Sequence, residues 1–207
     1  MRFSRAQHVL KALGAGSLLM LAAALPASAH VGIGAVHTFS QGFLHPMSGI
    51  DHIIAMVAVG FFAFNMGGSA RWLVPTAFVA AMMFGGLLGY EGWPLPMVEQ
   101  GIGLSVVALS AAVAIGVRLP TVAAMAVVGL FAVFHGHAHG NEGAGLGFAF
   151  LPYAVGFVAA TSLLHVTGMV SALYVDQLKP SMALTLRRVS GVIGGLVGLS
   201  LLFGVMS

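Results

Sequence analysis

Six long apolar runs leave this chain few folds to choose from. They lie at about 43–66, 71–90, 96–118, 120–139, 148–175 and 186–206. Each matches the roughly 20 residues with which an α-helix crosses the hydrocarbon core of a bilayer. A helix also satisfies its own backbone hydrogen bonds where no water is available. Only 6% of the 207 residues are charged, against about 25% in a soluble domain. Eight basic and five acidic side chains cannot coat a water-facing surface, and 59% hydrophobic residues exclude a disordered chain. The expectation is an all-α polytopic membrane bundle: six transmembrane helices forming one domain over residues 30–207, with the lipid bilayer as solvent. The chain has no cysteine, so disulfides, thiolate metal sites and cysteine nucleophiles are excluded.

Residues 1–29 have a different character. Arg2, Arg5 and Lys11 make a basic start, Leu13 to Leu25 a short apolar core broken by Pro26, and Ala27-Ser28-Ala29 a small-residue cleavage site. The core is shorter than a span, so the segment reads as a signal peptide. Cleavage after it would leave His30 as a new N-terminus, whose amine and imidazole can chelate a metal together. Those three basic residues account for the whole formal charge of +3. The remainder is balanced, five basic against five acidic, so the basic character marks export and implies no anionic partner such as nucleic acid.

The few charges also orient the bundle. Gly67-Gly68 ends the first run; Gly92, Pro94 and Pro96 separate the second and third; Pro120 opens the fourth. Gly140 to Gly147 read as a loop, and Pro180 as part of the last connection. Pro46, Pro75, Pro96, Pro120 and Pro152 are all expected near helix starts, where a missing N–H costs least. With residue 30 outside, Arg71, Arg118, Lys179, Arg187 and Arg188 all fall on the cytoplasmic side, and the outer connections carry no Lys or Arg. That is the positive-inside pattern, and it puts both ends of the mature chain on the periplasmic side of an inner membrane. Trp72, Tyr90, Trp93 and Tyr174 sit near run ends, as interfacial aromatics do. Gly191, Gly194, Gly195 and Gly198 form two GxxxG pairs, read as packing within the chain in preference to dimerisation. Oligomeric state is left open.

An ionisable residue inside a span is costly and marks a functional site by default. The first run opens with His45-Pro-Met-Ser-Gly-Ile-Asp51-His52; the fourth closes with Phe134-His135-Gly-His137-Ala-His139-Gly-Asn141-Glu142; the fifth holds His165 near its middle. His135 and His139 are four apart and share a helix face, so they can grip one ion. Glu142 extends that face if the helix persists past Gly140. His137 points elsewhere, toward a second path or a supporting role. On a regular helix His45 and His52 lie about 10 Å apart along the axis. They therefore read as successive stations, unless Pro46 marks a break that folds His45 inward. Asp51 points about 100° from His52, either as a ligand or as a carboxylate orienting an imidazole of a neighbouring helix. Together these residues describe a descent from the outer face to His165. Glu91, Glu99 and Glu142 add negative charge at its mouth, a field that concentrates cations. Imidazole with carboxylate and no thiolate suits Ni²⁺, Co²⁺, Zn²⁺ or Cu²⁺ and disfavours Cu⁺.

The segments HPMSGIDH and FHGHAHGNE, with the Leu164-His165 and Gly168 region, resemble the signatures of the HupE/UreJ family of nickel/cobalt permeases. The resemblance covers essentially the whole mature chain. It implies secondary uptake of nickel or cobalt, linked to hydrogenase or urease maturation in a bacterium. It also implies functional roles for His45, Asp51, His52, His135, His139 and Glu142, with His137 at a variable position. No G-x-x-x-x-G-K-[ST] loop is present to support ATP hydrolysis within the chain. Two alternatives stay open: an intramembrane zinc hydrolase, although no HExxH motif is present, and a metal-binding accessory protein that does not transport.

Overall fold

The computed structural model describes residues 39–144 and 150–204. The expected signal peptide, His30 and His37 lie outside them. The described residues form seven α-helices: α1 (Phe39–Ser48), α2 (Ile50–Met66), α3 (Ala70–Tyr90), α4 (Val98–Ile115), α5 (Thr121–Glu142), α6 (Phe150–Asp176) and α7 (Pro180–Leu202). Helices α3 to α7 are each long and apolar enough to cross a membrane, and α1 with α2, counted together as one bent pair, brings the number to six. The protein is thus an all-helical, multi-pass membrane bundle.

The first span departs most from expectation. Instead of one helix over 43–66, the chain turns through 86° between α1 and α2. The turn is at Gly49, an extended residue with φ −89° and ψ 121°. Pro46 falls in the last turns of α1, not near its start. The Ser48 hydroxyl donates to the His45 carbonyl at 2.7 Å, satisfying one of the acceptors left open at the helix end. Ten residues reach only about 15 Å as a helix, so α1 is too short to cross a bilayer and packs instead on the N-terminal half of α6.

Two other boundaries are corrected. The segment from Gly140 is not a loop at its start, because α5 continues to Glu142. Its glycines allow the backbones of α3 and α5 to touch: a Cβ on Gly136 or Gly140 would collide with the carbonyls of Met82 and Gly86. This close packing outweighs the helix-breaking tendency of a single glycine. The last span begins at Pro180 rather than near 186. Pro180 is the first helical residue, where its fixed φ is an advantage. Arg187 and Arg188 therefore lie within α7 rather than before it.

Fully buried Met56, Val59, Val74, Phe78, Val106 and Val128 form the centre of the bundle. Outside it, Trp72, Phe84, Leu104, Val122, Leu130, Val192 and Leu196 are exposed, and lipid is the solvent that tolerates such a surface. Helix α7 is attached by its glycine face: Gly191, Gly194 and Gly198 press on Ser110, Ala114 and Val107 of α4, as intramolecular packing requires. The helices alternate in direction, so the ends of the bundle differ in charge. One end gathers Arg71, Arg118 and Lys179, with Arg187 paired to Asp176. The other holds every described histidine except His165.

Candidate metal site

Two groups of potential metal ligands lie at the histidine-rich end: Asp51, His52 and His135; and His45, His139 and Glu142. They join into one cluster, because His52 Nε2 lies 2.7 Å from His139 Nε2 and 3.2 Å from His135 Nδ1. His52 is held in the first turn of α2. His135 and His139 stand one turn apart on α5, on one face as their spacing requires. All three rings are buried, His135 completely. The Phe157 ring of α6 covers the cluster, with its centre 4.6 Å from that of His139 and 6.0 Å from that of His52.

Each imidazole's second nitrogen is engaged, and that fixes where the protons are. Asp51 Oδ2 lies 2.9 Å from His52 Nδ1. An ionised carboxylate only accepts, so His52 carries its proton on Nδ1. Glu142 Oε2 lies 3.1 Å from His139 Nδ1, which assigns that proton likewise. Ser105 donates its one hydroxyl proton to the Ile102 carbonyl at 2.6 Å. The 2.8 Å contact between Ser105 Oγ and His135 Nε2 must then be donated by the ring. The remaining nitrogens, His52 Nε2, His135 Nδ1 and His139 Nε2, carry lone pairs, and His52 Nε2 lies close to each of the other two. Such an arrangement is completed by a cation. A bound transition metal has M–N bonds of about 2.0–2.1 Å, which sets neighbouring ligand nitrogens about 2.9–3.4 Å apart. The observed 3.2 Å already falls in that range, and the 2.7 Å needs to open by only a few tenths of an ångström. Carboxylate or hydroxyl on the far nitrogen is the usual support for a metal-binding histidine.

The bend at Gly49 changes the expected relation of His45 to His52. His45 is not a separate station a full 10 Å up a straight helix. Its ring meets that of His139 edge to face, centres 4.6 Å apart, and its Nε2 is 3.5 Å from Glu142 Oε2. It forms the outer lip of the same cluster. Asp51 bonds the imidazole of its own neighbour rather than one on another helix, because at the first turn its short side chain can curl back. Gly49 leaves room for this pair: a Cβ there would stand 2.7 Å from Asp51 Oδ1 and 3.1 Å from His52 Nδ1. His137 turns away and donates from Nε2 to the Trp93 carbonyl at 2.7 Å, anchoring the α3–α4 connection. His165 is not part of the cluster. Ser105 and Phe157 were not singled out in the sequence. A hydroxyl inside an apolar run was the one available signal for Ser105, and a phenylalanine among fourteen gave none.

A cavity of about 340 Å³ at the histidine-rich ends of α2, α4 and α7 is lined by Asp51, Glu99, Gln100, Ile102, Leu201, Leu202 and Gly204. Its two carboxylates favour a cation over an anion.

The family described as HupE / UreJ protein matches residues 18–201. Protein HupE of Rhizobium leguminosarum bv. viciae is 48% identical over 169 residues, covering 82% of this chain and 83% of that protein. No solved structure matches the chain.

Proposed function

The chain belongs to the HupE/UreJ family, and from that premise we propose that it is a secondary permease taking up Ni²⁺ or Co²⁺ across a bacterial inner membrane. The observation that carries this reading is the approach of His52 Nε2 to one unprotonated nitrogen each of His135 and His139, with every ring held by an acceptor on its far nitrogen. The acidic cavity supplies the approach, and His45 with Glu142 receives the ion as it sheds water. His52, His135 and His139 then hold it, while Asp51 and Glu142 balance its charge. Zn²⁺ fits the same donors; the family favours nickel and cobalt. An inward potential draws a divalent ion by about 4.6 kcal/mol per 100 mV, twice the single-charge value.

The reading includes a signal peptide removed after Ala29, both mature ends in the periplasm, and supply of metal to hydrogenase or urease maturation. His30 at the new N-terminus would add an outer chelate. The test is uptake of radiolabelled nickel by cells expressing the protein. Wild type is expected to accumulate nickel, and a His52→Ala, His135→Ala double variant to lose that accumulation. Uptake unchanged in the double variant would overturn the site.

A further inference from the structure

His165 stands near the middle of α6 with its side chain buried, 2% of the residue exposed. Neither ring nitrogen has a hydrogen-bond partner. The other buried imidazoles, His52, His135, His137 and His139, all have one. A buried polar group without a partner is rare, and within a membrane it is costly. An apolar side chain of similar size would fill the space without that cost.

The surroundings suggest what the ring is for. Phe78 of α3 is fully buried and touches two imidazoles: its ring lies edge-on to His165, centres 5.2 Å apart, and 6.1 Å from His135. One aromatic ring thus separates the orphan imidazole from the most deeply buried member of the outer trio. Thr161 lies one turn before His165 on α6, on the same face. Its hydroxyl points at Met82 Sδ, 3.8 Å away, and Met82 lies one turn beyond Phe78 on α3. Imidazole, hydroxyl and thioether therefore line the contact between α3 and α6, and all are neutral. Gly60 of α2 packs on the His165 carbonyl and holds the backbone in place.

We propose that His165 is a second, inner binding station for the divalent cation, reached after the outer trio. This rests on the transport reading above. Imidazole is a ligand suited to first-row divalent ions, and with neither nitrogen bonded the ring can offer its one lone pair to such an ion from either position. The outer trio has two carboxylates to compensate the ion; the inner contact has a neutral donor set and binds it less tightly. A passage site must bind well enough to admit the ion and weakly enough to release it.

The experiment compares purified wild type with His165→Leu and His165→Gln in proteoliposomes, measuring nickel uptake, nickel bound at equilibrium, and thermal unfolding. Wild type is expected to bind one ion tightly and a second weakly. His165→Leu should keep the tight ion, lose the weak one, and slow uptake at least about tenfold. Its unfolding temperature should be unchanged or higher, because two unpartnered nitrogens are gone. His165→Gln, which retains a neutral donor, should recover part of the rate. Wild-type uptake by His165→Leu overturns the proposal and makes His165 a packing residue. So does a His165→Leu protein that unfolds at lower temperature, since its slow uptake then has a structural cause. Wild-type vesicles that take up no nickel overturn the transport reading, and the inner station with it.

Discussion

His135 and His165 are both buried imidazoles, and both touch Phe78, yet they are held in opposite ways. His135 is bonded to Ser105 on α4 and faces His52 on α2. His165 is bonded to nothing and is kept in place by packing alone. The first arrangement costs the fold less, because His135 Nε2 is bonded and its Nδ1 faces His52 Nε2. The second leaves polar atoms exposed to an apolar interior, a penalty of about 1–3 kcal/mol per group. On the reading proposed above, the oriented trio flanked by carboxylates holds the ion, and the unpartnered ring among neutral groups passes it on.

Removing the outer partners one at a time should turn the trio into something like His165. The largest effect is expected from Asp51→Asn, which deletes a negative charge and frees the His52 ring to flip its tautomer. Nickel affinity, read by equilibrium dialysis, should fall about 10–100-fold, the usual consequence of losing such a support. Undiminished affinity would mean that the Asp51 bond does not orient His52 and that the contrast with His165 is empty. Gly49→Ala should act next, through the same pair. Alanine adopts the φ of −89° freely, so the fold should survive. The added Cβ displaces the Asp51 carboxylate, and nickel binding is expected to weaken about tenfold at an unchanged unfolding temperature. The smallest effect belongs to Ser105→Ala. It strands the His135 Nε2–H without an acceptor, for a stability loss of about 1–3 kcal/mol visible in thermal unfolding. Nickel binding should weaken only severalfold, because His52 and His139 keep their carboxylates. A Ser105→Ala protein as stable as wild type would show that His135 needs no more support than His165 has.

Much of the site was legible along the chain. The four-residue spacing of His135 and His139 put two imidazoles on one face, and both do meet His52. Glu142 joins them because α5 runs past Gly140. That continuity depends on contact with α3 and could not be read from a glycine-rich segment. Whether His45 is a separate station or folds inward at a break stayed open along the chain for a similar reason. Hydropathy averages over a window, so 43–66 reads as one apolar run whether or not the chain turns at Gly49. Helical spacing already turned His137 away from His135 and His139, toward a second path or a supporting role, and only the packing shows that it meets the Trp93 carbonyl. Ser105 was invisible because serine in a membrane helix commonly bonds its own backbone, as this one does with Ile102.

Apolar length and scarce charge, which are properties of the chain itself, determined that this is a bundle of membrane helices. The separation of basic residues from histidines and acids determined that its two ends differ, and helical spacing determined which histidines share a face on one helix. Tertiary structure alone decided which nitrogens face one another. That depends on the 86° turn between α1 and α2 and on how closely α3 and α5 approach. It depends equally on where a serine of α4 and the carboxylates of Asp51 and Glu142 leave the protons. A metal ligand is defined by the direction of a lone pair to within a few tenths of an ångström. Sequence periodicity places a side chain on a helix face, and only packing between helices sets that direction.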